Sequence, residues 1–257
     1  MSATPTPKGK LYLVPAPLDF GCDHQAPLQD VMPLATIKVA AQLQHWICEN
    51  AKSTRAYLKR VGELQPLTQQ LQALQIQELP REVHKKGDHT GNFDARPLLA
   101  AALQGIDIGL VSEAGMPAIA DPGSSVVRAA HDLGLQVVPL IGPMSLMLAL
   151  AASGLNGQNF AFVGYLPQDP TGRAQRIREL ESVALKTGQS QIFIETPYRN
   201  AALLQALLQT LQGSTRLALS CGLTLDTAWN FSAQASSWKK NKPVAPLDLP
   251  TVFCLGR

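Results

Sequence analysis

Apolar residues fall along the chain in short continuous runs separated by polar breaks marked with glycine and proline. Leu11–Val14 is one such run, ended by Pro15 and Pro17, and it predicts a strand that delivers a loop at its carboxyl end. Leu28–Leu43 carries a less regular helical pattern, and His45–Cys48 reads as a second strand running into Glu49. Ser53–Val61 predicts a helix with Thr54, Tyr57 and Leu58 on its inner side. In the Gln-rich stretch Leu67–Gln77, Leu67, Leu71 and Leu74 recur at helical intervals, which predicts a helix with a solvated glutamine face. From Asp94 the alternation is regular: helix Ala95–Gln104, strand Asp107–Ser112, helix Gly123–Leu133 and strand Gln136–Leu140, a βαβ unit. The run IGLV is apolar at every position, so its strand is expected to be buried on both faces in a parallel sheet covered by helices.

After Gly154 the pattern restarts with strand Asn159–Tyr165, helix Ala174–Ala184, strand Gln191–Glu195 and helix Arg199–Leu211, then strands Thr215–Cys221 and Thr251–Leu255. Two α/β domains are expected, residues 1–141 and 142–257. A length of 257 residues with 46% hydrophobic composition permits two cores. Leu135–Leu155 is nearly uncharged and long enough to suggest a membrane span, but Pro139, Gly142 and Pro143 interrupt it. The helical remainder, Ser145–Ser153, would extend about 14 Å at ~1.5 Å per residue, so no membrane association is expected.

Charge and cysteine usage narrow the chemistry. A net charge of +3 with 16% charged residues lacks the dense basic stripe that holds nucleic acid by electrostatics alone, so any RNA contact must be local. Cys22, Cys48, Cys221 and Cys254 lie far apart, with no CxxC pair and no His at ligand spacing, so free buried thiols are expected and no metal site. The Pro/Thr-rich start, Met1–Gly9, has no apolar stretch of the signal-peptide kind, and a cytoplasmic location is expected.

The most informative segment is LVSEAGMPAIADPG, Leu110–Gly123, in which a buried strand empties into a loop with two glycines and several small residues. In open α/β sheets the ligand crevice lies outside the carboxyl ends of the strands. Ala114, Gly115 and Ala118 would let the backbone approach a ligand closely, Pro117 and Pro122 stiffen the loop, and Asp121 is placed to cap the following helix. The turn at Gly142 and Pro143 follows another strand of the same sheet and would border the same crevice.

These segments resemble the tetrapyrrole methylase family, in the form used by the methyltransferases that modify ribose 2′-oxygens of small-subunit ribosomal RNA. LVSEAGMPAIADPG is similar to that branch's SDAGTPxxxDPG. IGPMSLMLALAASGL and FVGYLP are similar to its PGPSAxxxALxxSGL and GFLP, and FIETPYR and LYLVPAPLDF to its FYESPHR and LYVVPTPIGN. The resemblance implies the tetrapyrrole methylase fold: two α/β domains, an N-terminal Rossmann-like domain with a parallel sheet and a C-terminal domain with a mixed sheet, with S-adenosylmethionine in a cleft between them, and a homodimer. It assigns to the cofactor Pro15, Pro17, Ser112, Glu113, Ala114, Gly115, Met116, Ala118, Ile119 and Asp121, then Gly142, Pro143 and Ser145, and opposite them Gly164, Tyr165, Leu166 and Pro167. The expected partner is ribosomal RNA or the small ribosomal subunit. The alternatives are methylation of a tetrapyrrole or other small molecule, and a non-catalytic member of the fold.

Two segments depart from the branch. Its EDTR is replaced by Glu49, Asn50, Ala51 and Lys52, with Arg55 one helical turn on, and its RELTK by Cys221, Gly222, Leu223, Thr224 and Leu225. A ribose hydroxyl needs a base to take its proton. The candidates are Glu49 and Glu113, with His89 and Glu195 as further possibilities. Lys52, Arg55, Lys59, Arg60, Lys85 and Lys86 are candidates for a basic rim, and Trp238–Lys242 for an RNA contact.

Overall fold

The apolar runs of the first half become the strands of a parallel sheet, as continuous burial on both faces requires. The structure, a computed structural model, describes residues 7–86, 88, 93–241 and 243–257. It divides into two units, Met1–Phe20 with Ala26–Pro143, and Gly21–Gln25 with Met144–Arg257.

The first unit contains β1 (Lys10–Leu13), β2 (His45–Cys48), β3 (Gln75–Glu78), β4 (Ile108–Val111) and β5 (Gln136–Pro139), in the order β3-β2-β4-β1-β5 with every neighbouring pair parallel. Its helices are α1 (Leu28–Val31), α2 (Leu34–Gln42), α3 (Ala51–Leu64), α4 (Arg81–Lys86), α5 (Ala100–Leu103) and α6 (Ser124–Asp132). Alternate strand residues serve two cores. Trp46, Cys48 and Val111 pack with Ile37, Tyr57 and Leu58 of α2 and α3, while Ile47, Ile108 and Leu110 pack with Ala102 and Val126 of α5 and α6. One helical layer therefore covers each face of the sheet.

The second unit contains α7 (Ser145–Ser153), β6 (Phe160–Tyr165), α8 (Pro170–Thr187), β7 (Ser190–Glu195), α9 (Pro197–Thr210), β8 (Arg216–Cys221), β9 (Trp229–Gln234), α10 (Ala235–Asn241) and β10 (Thr251–Gly256). The strand order is β6-β7-β10-β8-β9; β6 and β7 are parallel and the remaining pairs antiparallel, a mixed sheet. Leu146, Ala149 and Leu150 of α7 pack on one face against Ile192, Ala218 and Val252, and α8, α9 and α10 cover the other. Among the described residues no helix is long and apolar enough to cross a membrane; the uncharged stretch after Leu135 is β5, a turn and α7.

Local expectations failed where sheet pairing outweighed periodicity. Leu67–Gln77 is not a helix: a single 3₁₀ turn at Leu71–Ala73 leads into β3, which pairs with the open edge of β2. Its leucines still point inward, Leu74 buried and Leu67 and Leu71 packed on the same core, so the apolar spacing marks burial without specifying a helix. Leu28–Leu43 is split at Pro33, whose ring cannot continue the turn begun by α1. Trp238, expected as a possible RNA contact, is a core residue 1% exposed whose indole donates to the Leu217 carbonyl at 2.8 Å. The side chains of Lys85 and Lys86, together with His89 and Lys242, lie outside the described residues.

Asp121 does not cap α6. The residue before that helix is Gly123, with φ 134°, and the capping carboxylate comes from Asp88, 35 residues earlier. Buried Asp88 accepts from the amides of Gly123 and Ser125 at 2.8 Å each, from Ser125 Oγ at 2.6 Å and from Ser124 Oγ at 2.7 Å. Burial alone pushes its carboxyl up, but the hydrogen bonds from Ser125, Ser124 and Gly123 outweigh it and hold the group below its ordinary range. The Asp88→Ala variant is expected to lose about 2 kcal/mol in urea denaturation at pH 7, the size of a charge-assisted cap. Because the folded-state value is lowered, this contribution is present above the ordinary carboxylate range and fades as pH falls through the lowered value, so wild type and variant should converge in acid.

Candidate functional site

The carboxyl ends of β1, β4 and β5 are tied into one surface by backbone hydrogen bonds. Val14 donates to the Leu110 carbonyl at 2.8 Å and Leu140 to Leu13 at 3.0 Å, continuing the sheet beyond its named strands. Ala16 and Gly115 then exchange two bonds, Ala16 N–H to Gly115 O at 2.9 Å and Gly115 N–H to Ala16 O at 3.0 Å, an isolated antiparallel bridge between two loops. In Pro15-Ala16-Pro17 the central residue carries the sole amide proton, and the bridge uses it.

Small residues are needed here for shape as well as approach. Gly115 has φ 69°, and a Cβ on it would lie 3.3 Å from Leu18 Cδ2. A Cβ on Gly142 would fall 2.2 Å from Pro15 Cγ, so the turn after β5 is pressed against the loop after β1. Ala118 and Ala120 also have positive φ, 65° each. Left-handed alanine costs roughly 1 kcal/mol apiece, and such strain concentrates in loops that the surrounding structure holds for a purpose.

A second feature of this end follows from strand order. From β2 the chain runs outward through α3 to edge strand β3, whereas from β4 it runs the opposite way through α6, past β1, to β5. Adjacent strands whose connections diverge leave a crevice at their carboxyl ends. Glu49 follows β2 and Glu113 follows β4, one on each side of it. Asn50 caps α3, its side chain accepting from the amides of Lys52 at 2.9 Å and Ser53 at 3.3 Å, and Glu78 accepts from the Ala51 amide at 2.6 Å. Ser53 Oγ donates to Glu113 Oε1 at 3.3 Å.

Asp121 completes a carboxylate group at the crevice. Its own burial, followed by the charges of Glu49 and Glu113, raises its carboxyl to about 7, so it holds a proton through the acid range. Ser112 Oγ is buried and has no hydrogen-bond partner among the described residues. Among the described residues no group of three or more His, Cys, Asp or Glu could hold a metal ion.

Of the cofactor residues expected from sequence, Pro15, Pro17, Ser112, Glu113, Ala114, Gly115, Met116, Ala118, Ile119, Asp121, Gly142 and Pro143 all belong to this end of the first unit. Ser145, Gly164, Tyr165, Leu166 and Pro167 belong to the second. There Ser145 opens α7, Gly164 has φ 73°, Tyr165 is exposed, and Leu166 is in the core. Glu195 is also in the second unit, buried and paired with Arg199 at 2.9 Å. Of the proposed basic rim, Lys52, Arg55 and Lys59 are exposed, but Arg60 is held by Asp19 in a bidentate pair at 3.0 Å, which removes it from any phosphate contact. Sequence reasoning missed Ser53 and the bridge from Ala16. An Asn one residue ahead of a helix was a signal for the cap; nothing in the sequence marks which loop amide pairs with Gly115.

The family model for Tetrapyrrole (Corrin/Porphyrin) Methylases matches residues 32–227. Proteins named Ribosomal RNA small subunit methyltransferase I are similar: that of Vibrio cholerae is 38% identical over 53% of this chain and 46% of its own length. Those of Mesorhizobium japonicum and Escherichia coli O157:H7 are 34% and 30% identical over 83% and 84% of this chain and 63% and 66% of their own. The chain thus spans about half to two thirds of the length of these relatives. Among solved structures, uroporphyrin-III-C-methyltransferase from Thermus thermophilus superimposes with a TM-score of 0.52 at 18% identity, covering 97% of this chain and 94% of that one. A structure of that enzyme complexed with S-adenyl homocysteine gives 0.51 at 17% identity.

Two outcomes are expected. Gly115→Val forces a β-branched residue into the left-handed region and against Leu18, and should lower unfolding free energy in urea by about 2 kcal/mol, with Gly115→Ala costing about half that. Asp121 has a folded value raised above its unfolded one, so the stability it gives is complete below about pH 4 and is lost as pH rises through about 7. Urea titrations should show Asp121→Asn more stable than wild type at pH 8 and the difference shrinking below pH 4; a gap independent of pH would contradict the placement of this carboxylate.

Proposed function

The chain belongs to the tetrapyrrole (corrin/porphyrin) methylase family, and from that premise we propose that it is an S-adenosylmethionine-dependent methyltransferase acting on a ribose 2′-hydroxyl of small-subunit ribosomal RNA. The observation that carries this reading is the loop of Ser112–Asp121, stitched to Ala16, small at Ala114, Gly115, Ala118 and Ala120, and associated with the carboxyl groups of Glu49, Glu113 and Asp121. That surface fits a cationic, nucleoside-bearing ligand. The carboxylates favour positive charge, the small residues Ala114 and Ala118 let a ligand come close to the backbone, and the buried Ser112 hydroxyl supplies an unused polar group. The absence of a GxGxxG turn agrees with a ligand that has no phosphate to cradle. The relatives named above support the RNA substrate.

Bound S-adenosylmethionine supplies a methyl group on a positively charged sulfur, ready for in-line displacement. The chain's part is to hold the acceptor in line and to receive its proton. Glu49 and Glu113, on the two sides of the crevice, are the residues proposed to take the proton from the ribose hydroxyl. Asp121 is unsuited to that task below about pH 7, because it already carries a proton there. The net charge of +3 gives little affinity by phosphate neutralisation, so shape recognition of an assembled subunit is proposed over binding of naked RNA. A homodimer and a cytoplasmic location belong to the same proposal.

With tritiated S-adenosylmethionine and, in parallel, small subunits from cells lacking this protein, deproteinised RNA from them and a porphyrin precursor, label is expected in the assembled subunits. Label mainly in the porphyrin precursor would transfer the protein to small-molecule methylation, and equal labelling of naked RNA would refute the preference for assembled particles. Glu49→Gln and Glu113→Gln should lower the rate measured at saturating cofactor; a base of the proposed kind contributes roughly 10²–10⁴-fold, more than the loss of cofactor affinity expected from removing one of the three carboxylates.

A further inference from the structure

Resting on the RNA reading above, we propose that Tyr198 is a stacking platform for an unpaired nucleobase of the substrate RNA, with Arg199 as its positioning residue. Among the described residues Tyr198 is the most exposed aromatic, at 80%. It is held in place although nothing packs it into a core. Pro197 starts α9 with its φ preset, so Tyr198 stands in the rigid first turn of the helix. Arg199 places its guanidinium carbon 5.2 Å from the centre of the Tyr198 ring. That guanidinium is itself fixed: Glu195 Oε1 accepts from Arg199 Nε at 3.0 Å and Nη2 at 2.9 Å, and also from the Thr196 amide at 2.8 Å. The Glu195 side chain is 3% exposed, so the anchor is buried while the ring it serves is open.

A cation beneath one face of an aromatic ring leaves the other face for a partner. The positive charge already present disfavours a Lys or Arg from a protein and favours an uncharged, electron-rich planar group, which is the character of a nucleobase. The neighbouring chain adds to the same edge. β6 and β7 run parallel with Tyr165 opposite Ile194, so their carboxyl ends lie side by side. Tyr165 there is 57% exposed, and Arg173 braces the following turn by donating to the Pro167 carbonyl at 3.0 Å and to that of Gln168. Exposed aromatic rings with arginines between them are how single-stranded RNA is gripped, each stacked base adding roughly 1–3 kcal/mol.

The test compares wild type, Tyr198→Ala, Tyr198→Leu and Tyr198→Trp in methylation of assembled small subunits, with cofactor affinity measured by calorimetry. Binding of a fluorescent single-stranded oligoribonucleotide is compared with that of an abasic counterpart. Tyr198→Ala and Tyr198→Leu are expected to raise KM for the subunit fivefold or more with kcat and cofactor affinity unchanged, and to erase the preference for the oligonucleotide with bases; Tyr198→Trp should retain both. Unchanged KM in Tyr198→Ala, with wild type active on subunits, would overturn the platform while leaving the RNA reading intact. A raised KM with unaltered oligonucleotide binding would assign the contact to a ribosomal protein instead. If wild type binds S-adenosylmethionine but labels no RNA, the RNA reading fails and the platform falls with it.

Discussion

The site depends on one pair of backbone hydrogen bonds, those between Ala16 and Gly115. Strands β1 and β4 are neighbours, but their following loops leave toward different helices, and without a tie they would be two independent surface segments. The bridge works because three local conditions coincide. Flanking prolines fix the chain about Ala16, Gly115 accepts a positive φ of 69°, and Gly142 has no side chain to push Pro15 away. Each is a small-residue or proline choice whose physical reason is close approach of backbone, so the apparent plainness of these loops is a requirement.

Around that tie the electrostatics are unusual for a chain of nearly balanced charge. Burial, followed by the charges of Glu49 and Glu113, raises Asp121, while α6, which follows the same loop, takes its capping carboxylate from Asp88 instead. The separation matters: a carboxylate used as a cap is hydrogen-bonded, lowered and satisfied, whereas one crowded by burial and like charge is held in a state that a positive ligand would relieve. These two aspartates thus have opposite behaviour because Asp88 meets donors that outweigh its burial, whereas burial dominates at Asp121 and negative charge adds to it.

The order and kind of most elements were legible in the sequence, because fully apolar runs such as IGLV and proline-ended loops are direct consequences of burial and turn chemistry. The small-residue, proline-stiffened make-up of the loop after β4 was legible for the same reason, and its role as a ligand loop is the proposal built on it. What was not legible depends on contacts between distant residues. The leucines of 67–77 have helical spacing yet feed an edge strand, since β2 offered unpaired backbone. Asp88, Ser53 and the partner of Gly115 act across tens of residues, and polar side chains in loops carry no periodicity to announce them. Arg60 and Trp238 looked available in sequence and are engaged in the structure, Arg60 by Asp19 and Trp238 by the core.

The central claim is that the Ser112–Asp121 loop binds a positively charged methyl donor beside this carboxylate group. Calorimetry of S-adenosylmethionine binding near pH 7, in buffers of different ionisation enthalpy, tests it most directly. A cation settling beside Asp121 should lower its affinity for the proton, so wild type is predicted to release protons on binding, fewer with the neutral thioether product, and fewer still in Asp121→Asn. Binding with no proton release, or release unaltered by Asp121→Asn, would contradict the account.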